Sequence, residues 1–445
     1  MNTQEPIRKA GDFIRSSATL KIISIGIIVL ILLIPTSMVT SLMRERESRR
    51  ESVVQEINQK WGNSQTITGP FFTIPYKVFY KDEHEKLKYN LRYLHILPEK
   101  LNISGNIDPH IRYRSLYEAV LYNARITVAG NFRLPPLSQL NLDPDHVLWK
   151  KAVFSLGITD MRGIQEDMVI TFHDKEYEIS PGLKTTDIAS AGVSSLIPLS
   201  PKEETGSFSF RLNLNGSEQI HVIPVAEETN VDLTSSWPSP SFNGAFLPTT
   251  REITDKGFSA QWKVLHLNRN FPQFWQGSSY KVDNASFGLK LIITADIYQK
   301  AMRIAKYAIM FIVFTFFAFF FSEIINKKQI HPIQYVLIGL AVILFYVLLL
   351  SISEHVNFDA AYLLSALAIT ILVTGYSKAI VKNRYFTLTV LAILIILYAY
   401  LYIVLQLEDY ALLMGSIGLL LVLGTVMYIT RAVDWYSLEK TDKNT

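Results

Sequence analysis

The stretch IISIGIIVLILLIPTSMVTSL, from Ile22 to Leu42, is an apolar run long enough to cross a lipid bilayer. A membrane-spanning helix needs roughly 20 mostly apolar residues, because the hydrocarbon core is about 30 Å thick and each helical residue rises about 1.5 Å. The run is long, lacks a small-residue cleavage site and continues directly into a charged segment. We therefore expect an uncleaved membrane anchor and not a secretory signal.

Five further apolar segments of this length follow in the last third of the chain. They are Ile304–Ile324, Ile333–Ile352, Phe358–Tyr376, Phe386–Gln406 and Tyr410–Thr430. The sequence thus predicts a multi-pass α-helical membrane protein with six transmembrane helices. The middles of the five C-terminal segments contain Tyr, Ser and Thr but no Asp, Glu, Lys or Arg, which weakens a proton-coupled transporter interpretation.

The short loops between these segments indicate the orientation, because Lys and Arg are enriched on the cytoplasmic side. Two loops are basic, with Lys327 and Lys328 in one and Lys378, Lys382 and Arg384 in the other. The loops between them are acidic and contain Glu354, Asp359, Glu408 and Asp409. We therefore expect both termini in the cytoplasm and the long region between the first two spans outside it.

The region between the first two spans has about 260 residues, enough for one large or two modest domains. In SFSFRLNLNG, apolar Phe208, Phe210, Leu212 and Leu214 alternate with polar residues, which predicts a half-buried strand that ends at Asn215-Gly216. The same alternation occurs in GFSAQWKVLHL, KAVFSLGIT and SFGLKLIITA. This pattern predicts a large β-rich extracytoplasmic domain of antiparallel, sandwich-like architecture.

These features divide the chain into five expected parts. They are a cytoplasmic N-terminal segment (1–20), a transmembrane helix (21–43), the extracytoplasmic domain (44–300), a five-helix transmembrane bundle (301–430) and a cytoplasmic tail (431–445).

The composition of the chain excludes several function classes. The 445 residues include no cysteine, which rules out disulfides, thiolate metal sites and cysteine nucleophiles. From Arg44 to Lys300, 29 Lys and Arg balance 29 Asp and Glu, so nucleic-acid binding has no electrostatic footprint. The nine histidines show no metal-ligand spacing, and the usual hydrolase and nucleotide motifs do not occur. We expect no catalytic residue, metal or cofactor.

A charged segment, RERESRRESVVQEINQKW, follows the first span directly. Its four arginines are Arg44, Arg46, Arg49 and Arg50. The orientation above places them outside, contrary to the usual preference for positive charge in the cytoplasm. Glu45 and Arg49 have the i,i+4 spacing of a helical ion pair.

The same segment carries an apolar stripe at helical spacing. Its members are Val53, Val54, Ile57 and Trp61. We expect one continuous helix from about Lys21 to Trp61, with a kink at most near Pro35. Residues 44–61 would form a rigid stalk that docks its stripe on the β-rich domain and holds its arginines at the headgroup level. The alternative is a solvated, charge-balanced helix.

Two loops rich in Pro, Gly and Asn present aromatic residues that could contact sugars or lipid. The candidates are Trp237, Phe242, Phe246, Phe271 and Trp275. Arg269 could contact an anionic headgroup, whereas core packing and structural hydrogen bonds are the alternatives. Glu354 and His355, at an external membrane boundary, could bind a cation or a proton, or could be solvated residues at a helix end.

Carboxylates in the exported region could in principle serve glycoside hydrolysis, which needs two of them facing each other. The available residues are Asp160, Glu166, Glu227, Glu228 and Asp232. The sequence does not bring any two of them together, and exposed loop acids are far commoner than catalytic ones.

Several long blocks resemble the CreD family of bacterial inner-membrane proteins. They include LLIPTSMVTSLMRERESRRESVVQEINQKWGNSQTITGP, SLGITDMRGI, SSWPSPSFNGAFLP, GFSAQWKVLHLNRNFPQFW and IHPIQYVLIGLAVILFYVLLLSISEHVNFDAAYL. The resemblance extends from about Leu32 to about Tyr376. It implies an inner-membrane protein linked to cell envelope integrity under stress, produced under control of a carbon-source-responsive histidine kinase and its response regulator. It brings no established catalytic residues.

We therefore expect a non-enzymatic protein whose periplasmic domain senses or binds a wall, lipid or protein component of the envelope, with the lipid bilayer as its other partner. The first alternative is a transporter or flippase-like protein for an envelope precursor. The second is a membrane-tethered periplasmic hydrolase.

Overall fold

The computed structural model describes residues 18–136, 142–201, 205–293, 297–326, 330–407 and 410–431. These residues form two compact units that divide after residue 50 and after residue 294. The loop residues Lys327, Lys328, Glu408 and Asp409, which entered the orientation argument, lie outside the described ranges, as do most of the two terminal segments.

The first helix, α1, runs without interruption from Ala18 to Trp61, with Pro35 inside it. The expected continuous helix is thus confirmed. Its residues up to Arg50 belong to one unit and those from Glu51 to the other. The helix ends where the backbone N–H of Gly62 donates to the carbonyl of Asn58 at 2.8 Å. Gly62 has a φ of 145°, and a Cβ there would lie 2.8 Å from the carbonyl oxygen of Asn215, so only glycine fits this exit.

The remaining helices belong to the C-terminal part of the chain. They are α2 (Ile297–Ala305), α3 (Ala308–Asn326), α4 (Pro332–Ser353), α5 (Phe358–Val381), α6 (Arg384–Gln406) and α7 (Ala411–Thr430). In the described part of the chain, four helices are long and apolar enough to cross a membrane: α1, α4, α5 and α6. The count becomes five if α2 and α3 form one broken span, and the apolar part described within α7, Leu413–Tyr428, is shorter. The residues that the structure describes therefore show four or five such helices, and the six predicted spans are not confirmed.

The second predicted span, Ile304–Ile324, is not one straight helix. Helices α2 and α3 meet at an angle of 48° across Lys306 and Tyr307. The buried residues of α2 are Tyr298, Ala301, Ile304 and Ala305, whereas Lys300 and Arg303 belong to its polar side. The bend thus separates the charged, amphipathic helix α2 from the apolar helix α3. Charged side chains are costly in hydrocarbon, so α3 is better suited than α2 to the membrane interior.

The other unit contains two β-sheets. Its strands are β1 (Gln65–Lys81), β2 (Leu87–Ile96), β3 (Lys100–Arg114), β4 (Tyr117–Arg133), β5 (Val153–Ile158), β6 (Val169–Phe172), β7 (Lys175–Glu178), β8 (Ser180–Pro181), β9 (Gly192–Leu196), β10 (Thr205–Ser217), β11 (Gln219–Ile223), β12 (Glu228–Ser235), β13 (Pro240–Gly244), β14 (Thr250–Thr254), β15 (Gly257–Leu265), β16 (Phe274–Gln276) and β17 (Phe287–Leu291). One sheet has the order β13-β17-β11-β1-β5-β9-β8, with β2 beside β1 and β16 beside β2, and the other has the order β14-β15-β12-β3-β4-β10-β6-β7.

The core of this unit lies between the two sheets. Phe72 of β1 packs on Phe132 of β4 with ring centroids 4.6 Å apart, and Phe154 of β5 packs on Phe208 of β10 at 5.7 Å. The pairing is mostly antiparallel, but β1 pairs with β11, and β3 with β12, in parallel. The predicted β-rich domain is thus confirmed, with parallel pairs that the sequence pattern did not indicate.

The four stretches with alternating apolar residues are strands β10, β15, β5 and β17. Strand β10 ends at Ser217, one residue beyond the predicted end at Asn215-Gly216, and Gly216 still pairs with Tyr122 of β4. A Cβ on Gly216 would lie 2.2 Å from the Tyr122 hydroxyl, so the glycine accommodates the tyrosine ring instead of making a turn. Glu218, whose φ is 57°, connects β10 of one sheet to β11 of the other.

Candidate functional site

The N-terminal end of α1 is held by a buried ion pair. The Lys21 ammonium group contacts the carboxylate of Glu323 on α3, and the Lys21 and Glu323 side chains are 17% and 8% exposed. The carboxylate also accepts hydrogen bonds from the backbone N–H of Ile330 and the hydroxyl of Tyr335, each at 3.1 Å. A carboxylate with three donors is well satisfied, as a buried charge must be.

A second polar cluster holds α1 further along, at Arg46. Its guanidinium lies 3.8 Å from the carboxylate of Glu354, the residue that follows α4, and the Glu354 side chain is 9% exposed. The hydroxyl of Tyr298 on α2 donates to the same carboxylate oxygen at 3.1 Å. Glu354 is therefore not a solvated loop residue, whereas the neighbouring His355 is exposed and has no part in this cluster.

The four arginines of the stalk thus differ in their surroundings. Arg46 is half-buried against Glu354, Arg49 makes the expected i,i+4 pair with Glu45 at 3.4 Å, and Arg44 is exposed. Arg50 is half-buried and has partners of its own. One of the four arginines therefore pairs with an acidic residue of the C-terminal part of the chain.

Alanine substitutions of these arginines should have unequal effects. We expect Arg46→Ala to lower the free energy of unfolding by about 1 kcal/mol, because the Glu354 carboxylate loses its cationic partner. Arg44→Ala and Arg49→Ala are matched controls and should change it by less than about 0.5 kcal/mol. Thermal unfolding of the full-length protein in lipid nanodiscs measures the difference. Equal effects at all three positions would contradict the pairing.

The C-terminal end of α1 enters a hydrogen-bonded hub centred on Asp160, which follows β5. The Asp160 carboxylate accepts from the backbone N–H and the side-chain amide of Asn63, at 3.0 and 2.9 Å. It also accepts from the backbone N–H of Arg162 and, in two further bonds of 2.9 and 2.7 Å, from the guanidinium of Arg162. The remaining guanidinium nitrogen donates to the carbonyl of Gln59 in the last turn of α1.

Arg162 thereby connects the last turn of α1, at Gln59, to the Asp160 carboxylate. Its guanidinium holds the pKa of Asp160 at about 2, below the usual value of 3.8, and burial of the carboxyl only partly opposes this. Gln65 completes the hub, because its buried amide donates to the carbonyls of Asp160 and Asn215 and accepts from the Asp160 N–H.

The apolar stripe of the stalk packs within the same unit, as expected. Val53, Ile57 and Trp61 are all half-buried. The indole N–H of Trp61 donates to the carbonyl of Tyr122 at 3.3 Å, and its ring meets that of His110 edge-on at 5.1 Å. Further polar contacts are Asn58 to Glu218 at 2.9 Å and an ion pair between Glu56 and Arg114. The docked-stalk interpretation describes residues 51–61 better than a solvated helix.

The aromatic candidates from the two loops mostly belong to the core. Phe271 and Trp275 are 7% and 5% exposed, so they are buried. Trp237, Phe242 and Phe246 are half-buried and pack against the same core, and the Trp237 indole donates to the carbonyl of Ile292 at 3.1 Å. Of the five, only these last three keep part of their surface accessible for a ligand.

Arg269 has the structural role that was its alternative. Its guanidinium donates to the carbonyls of Phe271, Val225 and Ala226, and to the side chain of Gln273. Burial lowers the pKa of this group to about 10 against the opposing effect of Glu227. The guanidinium organises the loop before β16 instead of facing an anionic headgroup.

One constellation escaped the sequence patterns. His95 of β2 lies between Thr73 and Asp187, with Nδ1 3.2 Å from the threonine hydroxyl and Nε2 3.0 Å from the aspartate. This is the order of a nucleophile, base and acid, but Thr73 and His95 are buried, and burial lowers the pKa of His95 in spite of Asp187. A substrate would not reach the hydroxyl, so the arrangement is structural.

Three of the five candidate acidic residues each have a separate partner. Asp160 pairs with Arg162, Glu228 with Lys263, and Asp232 accepts from Gln261. Among the residues that the structure describes, no group of three His, Asp or Glu side chains could hold a metal ion.

Comparison with known proteins places the chain in a family. The family model for inner membrane protein CreD matches residues 17–436. The chain belongs to the CreD family. It is 32% identical over 417 residues to the inner membrane protein CreD of Escherichia coli strain K12, an alignment that covers 92% of each chain. As a CreD-family member it is an inner membrane protein and contacts the lipid bilayer.

Two of the CreD-like blocks contain the hub at the end of α1. The block SLGITDMRGI includes Asp160 and Arg162, and the first block includes Gln59, Asn63 and Gln65. Sequence reasoning did not single out this hub, or the Lys21–Glu323 pair. The available signal for the pair was an acidic residue near the end of an apolar segment, where an ionisable group implies a specific partner.

Proposed function

We propose that this CreD-family protein maintains cell envelope integrity under stress and does so without catalysis. In this proposal residues 44–300 are periplasmic, both termini are cytoplasmic, and six segments span the inner membrane. The periplasmic domain binds or senses a wall, lipid or protein component of the envelope. Trp237, Phe242 and Phe246 are the proposed contact residues, because they combine a core-anchored ring with partly accessible surface.

The observation that carries the proposal is the attachment of α1 at three points along its length. Lys21 and Arg46 each pair with a glutamate of the C-terminal part of the chain, and the last turn meets Arg162 in the β-rich unit. Lys21 and Arg46 are about 38 Å apart along the helix axis, close to the thickness of a bilayer with its headgroups. An uninterrupted helix fixed in this way suits the transmission of a state of the periplasmic domain to the membrane helices.

The spacing of these contacts also supports the proposed orientation. Arg46 and Glu354 lie on the side assigned to the periplasm, and the basic residues Lys378, Lys382 and Arg384 lie where α5 ends and α6 begins, on the side assigned to the cytoplasm. Because the chain has no native cysteine, single introduced cysteines at His355 and Lys382 report the two sides directly. A membrane-impermeant maleimide should label the first, not the second, in intact spheroplasts.

Breaking α1 tests the function. In a strain that lacks its own CreD, we expect the intact protein to restore growth under envelope stress and a Gly-Ser-Gly-Ser insertion between Arg50 and Glu51 to abolish the rescue. The same insertion after Glu83, in the exposed β1–β2 turn, is the matched control and should rescue fully. Rescue by the α1 insertion, or by a chain without residues 65–293, would contradict the proposal. Photocrosslinking from position 246 then identifies the envelope component.

A second candidate function is transport or flipping of an envelope precursor. The observation that favours it is the buried Glu323 carboxylate among the C-terminal helices, since ionisable groups within membrane bundles commonly mark transport paths. Glu323→Gln keeps the hydrogen-bonding shape but removes the charge. Accumulation of a lipid-linked precursor with this variant would favour transport over anchoring.

A further inference from the structure

The packed interior of helices α4, α5 and α6 contains hydroxyl groups without a protein partner. Tyr346, Ser365 and Tyr398 are 1%, 0% and 4% exposed. In the described part of the chain, none of their side-chain oxygens has a hydrogen-bond partner. Other buried hydroxyls nearby are satisfied, for example that of Ser353, which donates to the carbonyl of Leu350 at 2.9 Å.

The two orphan tyrosines are gathered around one ring. The ring centroid of Phe345 lies 5.1 Å from that of Tyr346 and 4.9 Å from that of Tyr398. A third tyrosine, Tyr362, lies 5.5 Å from Phe345 and donates its hydroxyl to the carbonyl of Tyr398 at 2.7 Å. Tyr398, Tyr362 and Tyr346 come from three different helices, so they converge in the bundle and do not form a stripe on one helix.

This cluster continues to the surface through polar side chains. The ring of Tyr402 lies 5.2 Å from that of Tyr362, at a tilt of 50°, and its hydroxyl donates to the carboxylate of Asp359 at 3.1 Å. Gln406 donates to both the Tyr402 hydroxyl and the Asp359 carboxylate, at 2.8 and 3.3 Å. Asp359 and Gln406 are exposed at the shared end of α5 and α6. Tyr346 and Tyr398 thus lie next to a row of polar side chains, here called the polar track, that runs from Tyr362 through Tyr402 to the exposed Asp359.

We propose that the Tyr346 and Tyr398 hydroxyls form a site that binds internal water beside the Tyr362–Tyr402–Asp359 track. A buried hydroxyl without a partner is unfavourable, and in a membrane-embedded bundle the surrounding lipid offers none, so two such hydroxyls around one ring indicate a small hydrogen-bonding ligand. Water fits because each hydroxyl can both donate and accept. The inference is independent of the proposed role in envelope integrity.

The opposite half of these helices is closed by aromatic packing. Tyr335 meets Phe316 edge-on at 5.4 Å and Phe319 at 6.5 Å, and Phe319 packs on Phe386 at 6.0 Å. The Tyr335 hydroxyl is already used by Glu323.

Removing single hydroxyls tests the site by the sign of the effect. If the hydroxyls hold water, Tyr346→Phe and Tyr398→Phe should each lower the Tm of the full-length protein in nanodiscs by a few degrees, because water bonds are lost. If they have no partner, removing them should leave the Tm unchanged or raise it, which would overturn the proposal. Tyr385→Phe is the matched control, since that ring is 82% exposed, and it should not change the Tm.

Hydroxyl-radical footprinting supplies a readout that folding defects do not imitate. Radicals formed by an X-ray pulse label side chains that lie next to bound water. We expect Tyr346 and Tyr398 of the unmodified protein to be labelled at least tenfold faster than the equally buried Phe311 and Phe316. Labelling of all four at the same low rate would overturn the proposal, whatever the Tm values of the variants.

Discussion

Asp160→Ala should destabilise the β-rich unit by about 1–3 kcal/mol, because it removes the acceptor for both N–H groups of Asn63 and the partner of the half-exposed Arg162 guanidinium. Pulse proteolysis of the full-length protein in detergent, with fragments assigned to residues 65–293, measures the loss. Asp255→Ala, in the exposed β14–β15 turn, is the matched control and should stay within about 0.5 kcal/mol.

The same carboxylate sets an acid limit on this unit. The pKa of Asp160 is about 2 in the folded protein against 3.8 ordinarily, so the unfolded state binds the proton first as the pH falls. The resulting stabilisation, about 2 kcal/mol, is present above pH 4 and is lost as the pH falls from about 4 to about 2. Asp160→Asn should show a smaller slope of stability over that range. An identical slope in both proteins would place the titrating group elsewhere.

The two predictions that the sequence supported best both rested on local patterns. An apolar run followed at once by residues with helical charge and apolar spacing predicted α1 through to Trp61, and strict alternation predicted β10 and β15. Helical and strand periods are properties of adjacent residues, so they can be recognised without knowing the fold.

The attachment points could not be predicted in the same way. Lys21 and Glu323 are separated by 302 residues, and nothing local in either segment indicates the other. The parallel pairing of β1 with β11 is a long-range feature of the same kind. In the aromatic loops the local pattern left two possibilities open. Pro, Gly and Asn around Phe271 and Trp275 are compatible with exposed rings or with core packing, and the structure places both rings in the core.

The largest effect in the helical unit should come from Glu323. Glu323→Ala leaves the Lys21 ammonium group, the Ile330 N–H and the Tyr335 hydroxyl without their shared acceptor, and we expect it to cost about 3–5 kcal/mol. Lys21→Met leaves a buried carboxylate with two neutral donors and should cost a similar amount. Unfolding of the full-length protein by graded SDS addition measures both, with Arg384→Ala, at an exposed charge of another helix end, as control.

A double-mutant cycle separates the ion pair from the individual side chains. If Lys21 and Glu323 stabilise the protein through each other, Lys21→Met with Glu323→Gln should cost less than the two single substitutions together, since neither leaves an unpaired charge in the double variant. The exchanged pair, Lys21→Glu with Glu323→Lys, should recover part of the loss. Strict additivity would mean that the two side chains do not stabilise the protein through each other and that α1 is held in the unit by its apolar contacts alone. The buried carboxylate would then have another purpose, and Glu323→Gln tests transport as that purpose directly.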